Sequence, residues 1–263
     1  MKIIIIQAAG MHDGKRTQFC KNDYLRECLG LQKGFLYNGW DADIWGLRHI
    51  NFKNPPDFNS YDYLLNLENY EMSWLPDFSK ITKPVKMQWI IDLHCQKPEV
   101  YSKTTEHMDI VLHATKSLID DYKKLHPTKK HIWFPPAIDE QYFKCYQKQR
   151  TKNIVFVGNI LNRGNIIQKL NKEIDMEYYV MKTGMEMINL ISISKIHFNK
   201  TMSPHGVNYR AFETIGLGTV LLTDYKPELL ELGFKDGVNC LMYKNYDECI
   251  NKYNSIVNNF EKW

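Results

Sequence analysis

The sequence predicts an α/β protein of two doubly wound lobes, and three observations carry that expectation. Its 263 residues exceed the length of one ordinary domain. Apolar β-rich runs alternate with amphipathic segments along the whole chain, the pattern of parallel strands joined by helices. The alternation is interrupted at Pro135-Pro136 and the charged stretch KCYQKQRTK (144–152), then restarts with NIVFVGN (153–159). The expected lobes are residues 1–145 and 146–263.

In the first lobe, Ile3 to Ala9 is a continuous apolar run, the signature of a strand covered on both faces. A loop with two glycines follows from Gly10 to Thr17. Residues 22–37 carry apolar side chains near helical spacing, with Asn22 as cap. Asp43–Leu47, Tyr61–Leu67 and Val85–Leu93 read as strands. Pro98 opens a helix over 98–106, Ile110–His113 is a strand, and Thr115–Leu125 is an amphipathic helix stopped by His126-Pro127. His131–Phe134 closes the lobe.

In the second lobe, the strand in NIVFVGN ends at Gly158. A helix over 162–173, a strand at Tyr178–Met181, a helix over 185–194 and a strand at Ile196–Asn199 come next. Asn208–Ile215 is a helix, Thr219–Thr223 a strand, Pro227–Leu232 a short helix and Cys240–Tyr243 the last strand. A helix from Tyr246 to about Phe260 ends the chain. Ligands of such sheets bind beyond the carboxyl ends of the strands. The loops after Ala9, Asp92, Val157, Met181 and Asn199 are therefore where chemistry is expected, with the two lobes walling one central cleft.

The net charge of +4 is unevenly placed. Residues 1–143 hold 18 basic and 18 acidic side chains of the chain's 34 and 30, so the whole excess lies beyond them. So small an excess is no nucleic-acid footprint, but it suits a half that holds a phosphate-bearing ligand. The six cysteines are scattered without metal-ligand or disulfide spacing, which fits reduced thiols in a cytoplasmic protein. No run of about 18 apolar residues occurs, so no stable membrane insertion is expected. The apolar stretch at the start is too short for a signal-peptide core and reads as a strand.

SPHGVNYRAFETIGLGTVLLTD (203–224) is the most informative segment. A polar loop with a glycine enters a helix holding Arg210 and Glu213, and a strand runs on to Asp224. A carboxylate on such a helix can accept both hydroxyls of a ribose, while first-turn N–H groups and an arginine can hold a diphosphate. On chemistry alone, an Arg–Glu surface pair is an equal reading.

This segment resembles the donor-binding motif of retaining GT-B glycosyltransferases, in particular the CgeB-like branch. NLISISKIHFNK (189–200), NIVFVGN, GVNCLMY and NYDECINKY are similar to that branch and occur in its order, so the resemblance covers most of 153–253. In the first lobe, WIIDLH and HIWFPPAIDEQYF (131–143) match in pattern. The resemblance implies a GT-B fold and transfer of a hexose or similar sugar from a nucleoside diphosphate sugar, with a UDP-sugar as favoured co-substrate and no resident cofactor. It implies that Glu213 binds the ribose, and that Asn208, Tyr209, Arg210, Gly206 and Gly158 lie along the diphosphate and sugar. Arg163 and Lys182 stand where the family places cations for the leaving diphosphate. Many members carry a glutamate where this chain has His205, a departure at the usual sugar contact.

The transition state of that transfer joins an oxocarbenium-like sugar to a departing diphosphate, which fixed cations and helix N-termini stabilise. No His/Cys cluster with metal-ligand spacing is present, and the DLH triplet at 92–94 is a poor metal site, so a metal-independent reaction is expected. His94 with Asp92 is the first choice for the residues beside the anomeric carbon, and His12 with Asp13 in the glycine-containing loop the second. His107, His113 and His126 read as structural. The acceptor stays open between a glycan, a protein, a lipid-linked sugar and a modified DNA base. The neutral first lobe speaks against DNA, although Lys123, Lys124, Lys129 and Lys130 form a local basic group. A non-catalytic nucleotide-sugar-binding protein and a sugar-nucleotide epimerase are the rival readings.

Overall fold

The computed structural model describes residues 1–9, 26–69, 72–91, 99–202 and 205–262. The chain divides into two compact units, Met1–Pro135 and Pro136–Trp263. The division falls at the paired prolines, which have no N–H to offer a continuing strand.

The first unit runs β1 (Lys2–Ile6), α1 (Glu27–Tyr37), β2 (Asp41–Trp45), β3 (Tyr63–Leu67), β4 (Val85–Ile90), α2 (Glu99–Thr105), β5 (Ile110–His113), α3 (Ile119–Leu125) and β6 (Lys130–Trp133). Its six strands are parallel, in the order β2-β1-β3-β4-β5-β6. Ile3 to Ile6 of β1 are fully buried, as expected for a strand near the middle of a sheet covered on both faces. The expected helix over 115–125 begins instead as a 3-10 turn at Lys116–Leu118, and regular α geometry starts at Ile119.

The second unit runs β7 (Lys152–Val157), α4 (Gly164–Ile174), β8 (Glu177–Tyr179), α5 (Gly184–Ser192), β9 (Ser194–Asn199), α6 (Tyr209–Gly216), β10 (Val220–Asp224), α7 (Pro227–Glu231), β11 (Leu241–Tyr243) and α8 (Tyr246–Val257). The order is β11-β10-β9-β7-β8, again all parallel. Alternate residues of each strand enter opposite cores. Phe156, Phe198 and Leu222 pack with Leu170 of α4 and Cys249 and Tyr253 of α8, whereas Leu221 and Met242 pack with Ala211 of α6 and Leu229 of α7. In each sheet the winding reverses once, between β1 and β3 and between β7 and β9, and such a reversal opens a crevice at the carboxyl ends.

The first unit contains a buried imidazole pair. His131 Nε2 lies 2.9 Å from the His126 carbonyl and must donate there, so its Nδ1 accepts from His113 Nε2, also at 2.9 Å. That leaves His113 Nδ1 buried with no partner among the described residues. Burial, reinforced by His131, pushes the His113 pKa down to about 4 from 6.5. Between these values the unfolded chain binds a proton that the folded chain refuses, so stability falls as pH falls. Full-chain unfolding followed from pH 7 to pH 4 is expected to lose about 3 kcal/mol from this group. His113→Gln should flatten that slope.

Candidate functional site

The crevice at the β7/β9 reversal is built from the ends of three strands and the start of α6. β7 stops at Gly158, whose φ of 150° disfavours other residues. A Cβ there would collide with Nη2 of Arg210. The glycine thus makes room for a guanidinium. Arg210 donates from Nε to the Val157 carbonyl (2.9 Å) and from Nη1 to Asn199 Oδ1 (3.3 Å), and its guanidinium carbon lies 5.3 Å from the Phe156 ring centroid. Nη2 has no partner among the described residues.

Arg163 approaches the same ring, also at 5.3 Å. It caps α4 and donates from Nε to the Asn159 carbonyl (2.9 Å) and from Nη1 to the Lys200 carbonyl (2.6 Å). Only 5% of the residue is exposed. Burial and then the charge of Arg210 pull its pKa down to about 10, so it stays cationic at neutral pH. The pKa of Arg210 is lowered by burial too, against the pull of the Glu213 carboxylate.

Asn199 closes β9 and organises the floor. Its amide exchanges hydrogen bonds with Asn208 (3.2 and 3.0 Å) and donates to Thr223 (2.9 Å), while Tyr243 donates to its carbonyl (3.0 Å). Asn208 is the N-cap of α6 but makes no side-chain bond to the helix, because its amide is committed to Asn199. The first turn of α6 therefore has no side-chain cap from that residue, the condition under which helix N–H groups serve an anion. Gly206 enters the helix with φ of 70°. Glu213 lies one turn beyond Arg210 and is half-buried, as is Tyr209, whereas His205 is exposed.

A second cluster adjoins at the ends of β9 and β10. Asp224, buried, accepts from Thr201 N–H (2.9 Å) and Thr201 Oγ1 (2.6 Å), and faces Lys200 Nζ at 3.3 Å and Lys226 Nζ at 3.5 Å. These residues were missed as site residues in the sequence. Their signal there was a polar residue closing each apolar strand, Asn199 after IHF and Asp224 after VLLT.

Of the positions expected from sequence, Gly158, Arg163, Asn208 and Arg210 converge around Phe156 and Asn199. Lys182 is engaged elsewhere, in an ion pair with Glu186 at 2.6 Å. His12, Asp13, Asp92 and His94 lie outside the described residues. The expectation of a metal-independent reaction takes the chain to have no D-x-D motif, and Asp41-Ala42-Asp43 corrects that ground: the triplet lies on β2, where Asp43 accepts from Tyr61 (2.8 Å) and pairs with Lys2 (3.8 Å).

Two parallel sheets of this topology define the class. The chain has the fold of the GT-B glycosyltransferases. It resembles HepE of Anabaena, solved with UDP and glucose, over 100% of this chain and 91% of that one, with a TM-score of 0.64 at 12% identity. The DNA-modifying enzyme β-glucosyltransferase, solved in the presence and absence of uridine diphosphoglucose, matches over 98% and 89%, with a TM-score of 0.67 at 16% identity. Sucrose-phosphate synthase of Thermosynechococcus elongatus matches over 98% and 90%, with a TM-score of 0.64 at 10% identity. By sequence, residues 154–263, nearly all of the second unit, match the family described as glycosyl transferase-like. No curated protein matches by sequence.

The geometry at Gly158 gives a direct test. Gly158→Ala is expected to destabilise the protein by about 1–3 kcal/mol in urea unfolding, because the methyl group must displace a held guanidinium. Gly30→Ala on α1, where a Cβ meets nothing within 4 Å, should instead be neutral or stabilise by up to about 1 kcal/mol.

Proposed function

We propose that the protein is a glycosyltransferase that moves a hexose, glucose in the first instance, from a UDP-sugar to an acceptor hydroxyl. The observation that carries this reading is Arg210, held at the glycine end of β7 with Nη2 unpartnered among the described residues. The family match of the second unit and the bound UDP or UDP-glucose of fold relatives support the choice of donor.

In this reading the diphosphate lies at the start of α6, beside Arg210 and Arg163. As the bond between the anomeric carbon and the phosphate oxygen breaks, negative charge grows on the departing UDP. Guanidiniums fixed in advance lower the energy of that charge without reorganising. Glu213 accepts the two ribose hydroxyls, and Gly206 allows close backbone approach to the sugar. His205 and Tyr209 complete the sugar side, and Lys182 exchanges Glu186 for phosphate. His94 and Asp92, or His12 and Asp13, are the residues this reading assigns to the anomeric carbon. Retention at that carbon, independence of a metal and a cytoplasmic setting belong to the same proposal.

Thermal shift with UDP, GDP, ADP and CMP, each alone and as a sugar conjugate, reads the donor by mass action. UDP and UDP-glucose are expected to raise the melting temperature of the wild-type protein. Arg210→Ala should weaken UDP binding about 10- to 100-fold, the worth of one charged hydrogen-bonding contact, and Glu213→Ala about tenfold. No shift with any nucleotide, together with no glycoside by mass spectrometry across oligosaccharide and modified-DNA acceptors, would sink the reading.

A further inference from the structure

Behind Arg210 lies a closed ring of hydrogen bonds in which two interior residues have no evident packing purpose. His197 sits in the middle of β9, and Thr214 on the inner face of α6; both are fully buried. The Val157 N–H, at the end of β7, donates to His197 Nε2 at 3.3 Å. His197 Nδ1 lies 2.6 Å from Thr214 Oγ1, and Thr214 Oγ1 lies 2.6 Å from the Arg210 carbonyl. The ring closes through Arg210 Nε, which donates to the Val157 carbonyl at 2.9 Å.

Every proton in this ring has one possible place. The backbone N–H of Val157 can only donate, so Nε2 holds a lone pair. A neutral imidazole then carries its proton on Nδ1, which donates to the threonine hydroxyl, and the hydroxyl donates to the Arg210 carbonyl. Residues from three separate segments of the chain, β7, β9 and α6, are thereby tied at both the backbone and the side chain of Arg210. A valine or leucine at position 197 would pack as well in the apolar sheet, but would leave the Val157 N–H unpaired.

We propose that His197 and Thr214 are positioning residues that set the backbone and guanidinium of Arg210 for a diphosphate. The proposal rests on the preceding reading of Arg210. A threonine bonded to the carbonyl four residues earlier is common in helices and by itself only bends them. Here the same hydroxyl also receives the imidazole, so the start of α6 is referenced to the end of β7 instead of floating on apolar contacts. A fully satisfied buried network of this kind specifies one arrangement.

The test uses the full chain, UDP as probe, and calorimetric dissociation constants for wild type, Thr214→Val, Thr214→Ser, Arg210→Ala and the double variant Arg210→Ala/Thr214→Val. Valine keeps the shape and removes the hydroxyl; serine keeps the hydroxyl. Thr214→Val should bind UDP about tenfold more weakly, Thr214→Ser should stay within about twofold of wild type, and the double variant should bind no worse than Arg210→Ala. A Thr214→Val protein that binds UDP as wild type does, or that adds its full loss on top of Arg210→Ala, overturns the positioning role and leaves the Arg210 reading intact. An Arg210→Ala protein with unchanged UDP affinity overturns both. Should Thr214→Val fail to fold, nitrogen-15 spectra of the wild-type imidazoles decide: His197 is expected as the Nδ1-protonated tautomer with resonances that move on UDP binding. The other tautomer, or resonances indifferent to UDP, overturns the proposal.

Discussion

Arg210 occupies a position that no other side chain leaves room for, and much of the second unit is arranged so that it can. β7 ends in a glycine because a Cβ would stand inside the guanidinium. Burying two guanidiniums against one phenylalanine is costly, since each loses water and each repels the other. What compensates is the set of carbonyl oxygens of Val157, Asn159 and Lys200, with the ring face beneath. A carbonyl satisfies an N–H without cancelling its charge. Holding arginines by carbonyls keeps them rigid and cationic together, the combination an anionic ligand needs.

Asp224 plays the complementary part. It gathers the ends of β9 and β10 by accepting from Thr201 and facing both Lys200 and Lys226. This one buried carboxylate places two ammonium groups and is itself fixed from behind by the Thr201 backbone. Its place beside Arg163 is felt electrostatically, as one of the influences that keep the guanidinium protonated against burial.

Most of the strands were legible because buried parallel strands write themselves as apolar runs; β1, β7, β9 and β10 all lie where such runs fall. Edges moved where one residue's backbone outweighed its neighbours' pattern. β8 stops at Tyr179, two residues short of the expected end, and Met181 takes a φ of 59°. α6 starts after Asn208, whose extended backbone takes the N-cap position while its side chain bonds to Asn199. At the site, Gly158, Asn208, Arg210 and Glu213 could be named from their resemblance to a motif read along the chain. His197, Thr214 and Asn199 could not. Their partners lie 40, 17 and 24 residues away, and a histidine inside SKIHFN carries no sign of which N–H it will accept. Contacts across strands are set by the register of the sheet, which a pattern of polarity along one strand does not contain.

The two units share a winding and differ in what closes their strands, and that difference bears on function more than the shared fold does. At the β1/β3 reversal several described side chains are committed to one another and to nearby backbone groups. Gln7 bonds to Glu27 and the Cys28 N–H, Asn69 takes the Ala8 N–H, and Glu68 takes Tyr101 and the Ile91 N–H. Arg26 and Arg48 also reach the carbonyls of Ala8 and Ala9, but Glu27 stands 3.7 Å from Arg26. Basic and acidic groups there are in balance among the described residues. At the β7/β9 reversal, Arg163, Arg210, Lys200 and Lys226 face Asp224 and the half-buried Glu213. A crevice at a sheet's reversal is a property of topology and comes with either unit. Charge held still is a property of particular side chains, and the second unit holds it where its strands end in glycine, asparagine and aspartate beside arginines bound to carbonyls.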